Sequence, residues 1–183
     1  GLHTILINQD YDAIYSGLTP KFIQNQINKN EISIDLQRLC FNANATFIKD
    51  EIISLDTNLN IINLYNLPAI KFDILSINTG SISKKSGINF HKGAKNFFVK
   101  PISLLVNQIK KIDEIAKYKS TLTVIGNGIA GYEICFALKQ RYKNGIRINL
   151  IKSGNIDEKN INKYSWFKIN KISKKMGIFE ING

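Results

Sequence analysis

The amino-acid sequence predicts an α/β protein built on parallel strands, and three observations carry that prediction. Residues 121–125 (TLTVI) form a short, β-branched apolar run of the kind a buried parallel strand requires. They lead directly into Gly126-Asn127-Gly128-Ile129-Ala130-Gly131 and then into a helical pattern with Ile134, Ala137 and Leu138 at helical spacing. Asn144-Gly145 breaks that helix after Lys143, and Ile146–Ile151 (IRINLI) reads as a second strand. Strand, turn, helix and strand in this order form the context in which a GxGxxG spacing carries chemical meaning.

The first hundred residues supply shorter elements. His3–Asn8 (HTILIN) is predicted as a strand, and residues 9–20 as a loop containing Tyr15-Ser16-Gly17-Leu18-Thr19-Pro20. Asp35 is placed to cap a short helix through Asn42, with Leu36 and Leu39 on one face. Ala45–Lys49, Glu51–Asp56 and Asn60–Tyr65 are strand candidates, the last two joined as a hairpin by DTNLN at 56–60. Phe72–Ile77 is predicted as a further apolar strand, stopped by Asn78-Thr79-Gly80-Ser81, and residues 81–96 as a surface loop rich in Ser, Gly and Lys. Ile102–Tyr118 carries apolar residues at 105, 106, 109, 112, 115 and 116, the pattern of an amphipathic helix. Ile178–Ile181 reads as the start of another strand. Because residue 1 is Gly and the sequence stops at that strand, it is expected to be a fragment of a longer protein.

Composition narrows the function classes. A length of 183 residues allows one full domain or two modest ones, and 44% hydrophobic with 21% charged residues excludes wholesale disorder. No run approaches the roughly 18 apolar residues of a membrane span, and no signal-peptide pattern opens the sequence. Cys40 and Cys135 stand far apart, with neither a disulfide framework nor a metal-binding spacing, which favours a reducing, cytoplasmic setting. The formal charge of +11 invites a nucleic-acid or membrane-surface reading. Only Arg38, Arg141 and Arg147 are arginines, however, and the lysines are spread through an Asn- and Ile-rich chain as an AT-rich coding sequence would spread them. Nucleic-acid surfaces concentrate arginine, so no nucleic-acid partner is expected.

The glycine turn can bind a diphosphate. Gly126 permits the tight bend, Gly128 lets the backbone approach a pyrophosphate, and Gly131 lets the helix pack on the strands. The helix N-terminus then presents amide groups and a partial positive charge to the anion. The competing reading is a glycine-rich structural turn that binds no nucleotide. A dinucleotide site commonly adds a ribose-holding acid about 20 residues further on. Here Lys152-Ser153-Gly154 follows the second strand, and Asp157 and Glu158 come too late. Either Lys152 and Ser153 accept a 2′-phosphate, favouring NADP, or a lysine-rich chain happens to place Lys there. Glu133, expected on the first turn of the helix, either serves the helix dipole or faces a bound nicotinamide. Cys40 and Cys135 fall in apolar helical patterns and read as core residues, and no CxxC or CxxxxC pair supports a dithiol shuttle. His3 and His91 have no partner spaced for a triad, and no metal site is expected.

Three segments together resemble the pyridine-nucleotide-linked flavoprotein oxidoreductases, which carry an FAD-binding and an NAD(P)-binding domain. GNGIAGYE (126–133) is similar to that family's NAD(P) motif. KFDILSINTGS (71–81) resembles the strand leaving its FAD domain. The YSGLTP loop upstream and Lys100-Pro101 between them keep the family's order. The details look most like the type II NADH dehydrogenase branch, and within it the dehydrogenase-like domain associated with selenide, water dikinase. The resemblance implies two Rossmann-like dinucleotide-binding domains, both incomplete: a partial FAD-binding domain at 1–101, a connecting helix at 102–120 and a truncated NAD(P)-binding domain at 121–183. The FAD-binding GxGxxG would precede Gly1, and the ribose-holding acid of the FAD domain is replaced by Asn8-Gln9.

By the same resemblance, the backbone of Ile48 and Lys49 would line the adenine of FAD. Thr79 and Gly80 would lie near the flavin nucleotide, and Ser16–Pro20 near the ring system or its diphosphate. Gly126, Gly128 and Gly131 would hold NAD or NADP, with Glu133 near the nicotinamide. The expected activity is a flavin-dependent NAD(P)H oxidoreductase passing electrons to a quinone or other small acceptor, cytoplasmic or peripheral to a membrane. A functional link to selenide, water dikinase accompanies that expectation. The alternative is a non-catalytic dinucleotide-binding or interaction module.

Overall fold

The structure is a computed structural model that describes the chain except residues 84–88, 117–118, 127, 144, 153–161 and 183. In chain order the elements begin with β1 (Ile5–Asn8), β2 (Asp12–Ile14), a 3-10 turn (Ser16–Leu18), α1 (Thr19–Ile23) and α2 (Lys29–Ile32). There follow β3 (Ser33–Asp35), α3 (Leu36–Asn42), β4 (Thr46–Lys49), β5 (Ile52–Asp56), β6 (Ile61–Leu64) and β7 (Ile70–Lys71). The remainder is α4 (Ile102–Ile115), β8 (Thr121–Ile125), α5 (Ile129–Tyr142), β9 (Arg147–Lys152), α6 (Lys163–Lys175) and β10 (Phe179–Asn182). The chain divides into two units, one of Gly1–Tyr15 with Ser33–Ser103 and one of Ser16–Ile32 with Leu104–Gly183.

In the first unit β1 and β4 run parallel, in register from Ile5↔Thr46 to Asn8↔Lys49. The Asp35 carboxylate accepts the Arg38 N–H at 2.9 Å and caps α3, as its position in the sequence predicts. The buried face of α3 differs from the expected one. Leu36 and Cys40, four apart, are buried, whereas Leu39 is half exposed. The hairpin forms between β5 and β6. Asp56 accepts the N–H groups of Asn58 and Leu59 at 2.9 and 3.0 Å, and Asn60 takes a left-handed φ of 55°.

Two expectations for this unit are corrected. Residues 9–20 are not a loop throughout, because β2 pairs antiparallel with β3 and a helix starts at Thr19 with Pro20 in its first turn. Phe72–Ile77 is not a strand. β7 takes only Ile70 and Lys71, the Phe72 N–H reaches Asn60 O at 2.9 Å, and Ile74 and Ile77 lie exposed. An apolar run becomes a strand only where a neighbour supplies a ladder, and no described strand pairs with this one. Asp50, buried at the end of β4, accepts N–H groups of Glu51, Asn66 and Leu67 and the Asn66 side-chain amide at 2.8–3.3 Å. Burial pulls its carboxyl upward, but these donors outweigh it and hold the group below the usual carboxylate range.

The second unit is ordered around a parallel sheet of order β10-β9-β8 among the described strands. With α5 and α6 as crossovers, this is a β-α-β-α-β half with strands in the order third, second, first, the arrangement of a doubly wound nucleotide-binding fold. Ile148 and Leu150 of the central strand are fully buried. β9 packs on α5, and α1 packs on it as well, so α5 buries Tyr132, Ile134, Cys135, Ala137 and Leu138 rather than a single stripe. The predicted amphipathic helix is α4, burying Leu105, Val106, Ile109 and Ile112 and ending at Ile115.

Residues 16–32, grouped by the sequence with the first domain, cluster with this second unit. Phe22, Ile23 and Ile32 are buried there, and Arg141 of α5 donates to Ile23 O at 2.8 Å. The same guanidinium makes a bidentate pair with Asp113 of α4, with Nε–Oδ1 at 2.7 Å, and the Tyr142 hydroxyl donates to Asp113 at 2.7 Å. Desolvation favours the neutral acid, yet these partners hold Asp113 below the usual carboxylate range.

Candidate nucleotide-binding site

The site is the turn between β8 and α5. Gly126 takes a φ of +140°, a conformation that side chains rarely adopt, and its N–H donates to Ile151 O at 3.0 Å, tying the turn to the end of the second strand. Gly128 is the residue before α5, extended at φ −76° and ψ 171°, and no side chain among the described residues caps the helix there. Among the described residues, a Cβ on Gly128 would meet no atom within 4 Å, which leaves its backbone open to a ligand. A Cβ on Gly131 would collide with the Gly126 carbonyl oxygen and sit 3.6 Å from Leu150 Cδ1, so only glycine lets the helix settle on the turn and strand. Gly126 thus makes the bend and Gly131 the close helix packing that their spacing predicts. The first turn of α5 carries no acid and its last turn carries Lys139 and Arg141, which suits the helix dipole. Amide groups at an uncapped helix start beside open backbone fit a diphosphate. Asn127 lies outside the described residues.

Glu133 is the fifth residue of α5, not in its first turn as expected, and its side chain is exposed. Lys152, the last residue of β9, is half-buried and its ammonium donates to Glu180 Oε2 of β10 at 2.7 Å. Ser153 lies outside the described residues, as do Asp157 and Glu158. Glu180 also accepts the Ser173 hydroxyl of α6 at 2.6 Å and the Tyr132 hydroxyl of α5 at 3.3 Å. Burial raises this carboxyl, but the Lys152, Ser173 and Tyr132 donors prevail and keep it below the usual range. Tyr132, edge-on to Trp166 with centroids 5.4 Å apart, has its phenol pushed up by burial and by the Glu180 charge. Cys135 is fully buried, and burial with Glu180 pushes its thiol up to about 12, which fits a core residue.

The sequence reading missed Glu180 and its partners. One signal was present, because Glu180 is the single carboxylate in residues 162–182, set against five lysines.

The residues proposed for a second coenzyme fall in both units. Ile48 and Lys49 lie in β4, with the Lys49 ammonium 4.7 Å from the centre of the Tyr11 ring, and Thr79 and Gly80 lie in the same unit. Gly80 has a φ of +78° and open space around it. Ser16 and Pro20 belong to the second unit. His3 is exposed and hydrogen-bonds Thr46 Oγ1 at 3.0 Å, and His91 is exposed. A cleft of 580 Å³ lined by Lys119, Thr121, Lys139 and Arg147 lies where β8 and β9 begin, away from the glycine turn at their other ends. No helix among the described residues is long and apolar enough to cross a membrane.

No protein-family model matches the chain and no curated protein is similar to it in sequence. Solved structures are similar in fold. Sulfide:quinone oxidoreductase from Aquifex aeolicus matches at 18% identity with a TM-score of 0.75, over 99% of this chain and 45% of that one. A ferredoxin reductase from Rhodopseudomonas palustris matches at 16% identity and TM-score 0.74, over 99% and 44%. NDH2 from Plasmodium falciparum, solved with NADH, matches at 18% identity and TM-score 0.71, over 98% and 43%. The chain therefore spans less than half the length of each of these structures, and it has their Rossmann-like α/β fold.

Proposed function

We propose that the full-length protein is a flavin-dependent NAD(P)H oxidoreductase in which the 121–183 segment holds the nicotinamide dinucleotide and the 1–101 segment belongs to the FAD-binding part. The observation that carries this reading is the glycine turn, with a left-handed Gly126, an open Gly128 and a Gly131 seated on Gly126 and β9. Neighbours whose names specify a quinone oxidoreductase, a ferredoxin reductase and an NADH complex support the reaction class. Bound flavin and nicotinamide would supply the electron chemistry. The chain supplies position: amide groups at the start of α5 for the diphosphate, Glu133 on the exposed side of that helix toward the nicotinamide, and open backbone at Gly80 for the flavin nucleotide. Ile48, Lys49, Thr79, Ser16 and Pro20 complete the proposed flavin contacts.

A quinone or another small acceptor takes the electrons in this proposal. The link to selenide, water dikinase is part of it, resting on the YSGLTP, DILSINTGS and KPI segments. A cytoplasmic protein with a peripheral membrane contact fits α6, where Tyr164 and Phe167 stand exposed among Lys168, Lys171 and Lys175. The test is the colour of the full-length protein. It is expected to purify yellow and to bleach anaerobically on addition of NADH or NADPH. A colourless protein that binds the nucleotide would establish the non-catalytic module instead.

A further inference from the structure

Lys152 ends the second strand at the point where a dinucleotide fold usually holds the adenosine ribose, 21 residues beyond Gly131, and the Gly126 N–H on Ile151 O fixes it beside the glycine turn. A free lysine there would favour a 2′-phosphate. This one is not free, because its ammonium lies 2.7 Å from Glu180 Oε2. Glu180 in turn is held by Ser173 at 2.6 Å and Tyr132 at 3.3 Å, two side chains that are themselves buried, so the carboxylate cannot swing aside without losing both bonds. A 2′-phosphate approaching Lys152 would meet a neutralised pair and would have to compete with a carboxylate for the same ammonium.

We propose that Glu180, acting through Lys152, is the specificity-determining residue that makes this site prefer a dinucleotide with a free ribose 2′-hydroxyl, NADH, over its 2′-phosphorylated counterpart, NADPH. The proposal rests on the nucleotide reading above. The third strand thus supplies the acid that the end of the second strand lacks. Its role is positional, since its contact is with Lys152.

The test uses the full-length protein and measures Kd for NADH and for NADPH in the wild type, Glu180→Gln, Lys152→Gln and the double variant. Glu180→Gln keeps the shape and the hydrogen bonds of Ser173 and releases the lysine. NADPH should then bind at least about tenfold more tightly, the equivalent of one charge-assisted hydrogen bond, while NADH changes by less than threefold. Lys152→Gln, which leaves the carboxylate unopposed, should weaken NADPH several-fold and spare NADH. The double variant should lose the gain. An unchanged NADPH-to-NADH ratio in Glu180→Gln, or a gain that persists without Lys152, overturns the proposal while leaving the nucleotide reading standing. A wild type that binds neither dinucleotide overturns both. Thermal unfolding of each variant identifies a fold defect, which would weaken both nucleotides alike rather than change their ratio.

Discussion

The two units of this chain differ in how far local sequence determines them. In the second, each strand passes into a crossover helix and back to a parallel neighbour, and β9 lies between β8 and β10 with Ile148 and Leu150 fully buried. In the first, β1 and β4 are the whole of their sheet among the described strands, β5 is exposed along most of its length, and the apolar run after β7 is unpaired. A βαβ unit buries its central strand with neighbours from its own sixty residues, so its pattern is legible and self-consistent. A strand whose ladder partner is not adjacent in sequence carries no such guarantee. The glycine turn of the second unit is therefore fixed by contacts inside one βαβ framework, and the first unit has no comparable local framework among its described strands.

The largest contrast should appear in the cores. Leu150→Ala removes a fully buried side chain from the central strand and should cost about 3–4 kcal/mol, whereas Ile48→Ala on half-buried β4 should cost about 1–2 kcal/mol. Urea unfolding of both variants measures the difference, and equal costs would remove the distinction between the units. Next come the glycines. Gly131→Ala drives a methyl into the Gly126 carbonyl and should cost about 2–3 kcal/mol together with nucleotide affinity. Gly80→Ala has open space and only its φ of +78° against it, so about 1 kcal/mol is expected.

The smallest effect is the pH dependence. Asp113 and Glu180 in the second unit and Asp50 in the first are all held below their ordinary values of 3.8, 4.5 and 3.8. A depressed carboxyl contributes stability that is complete above its ordinary value and lost as pH falls through the folded one. Melting temperature should thus be level from neutral pH to about pH 5 and fall below it. Asp113→Asn should flatten that fall, by a modest amount because a third of the Asp113 side chain is exposed.

Much of this fold is legible in the sequence. The β8–α5–β9 unit, the Asp35 cap, the β5–β6 hairpin and the buried face of α4 follow from periodicity and turn chemistry acting within a few residues. The failures have a shared cause. Phe72–Ile77 has the composition of a strand but no ladder among the described strands, and α3, which packs on β4, buries Leu36 and Cys40 at i, i+4 rather than Leu39. Residues 16–32 cluster with the second unit, where Arg141, about 120 residues away, holds Ile23. α6 is not legible in the sequence, since its inner face is built from Trp166, Ile169 and Ser173 rather than from a run of aliphatics. In the site, the three glycines were legible from spacing, but the salt bridge that takes Lys152 depends on a strand pairing 28 residues away.

The most direct measurement follows backbone amide resonances of the isotopically labelled full-length protein during titration with ADP-ribose, which carries the adenosine diphosphate without redox chemistry. The amides of Gly128, Ile129 and Ala130 should shift saturably, while those of Gly93 and Gly177, remote from the turn in sequence, stay still. Saturable shifts elsewhere with the 126–131 amides unmoved would contradict the assignment of this turn as the diphosphate cradle.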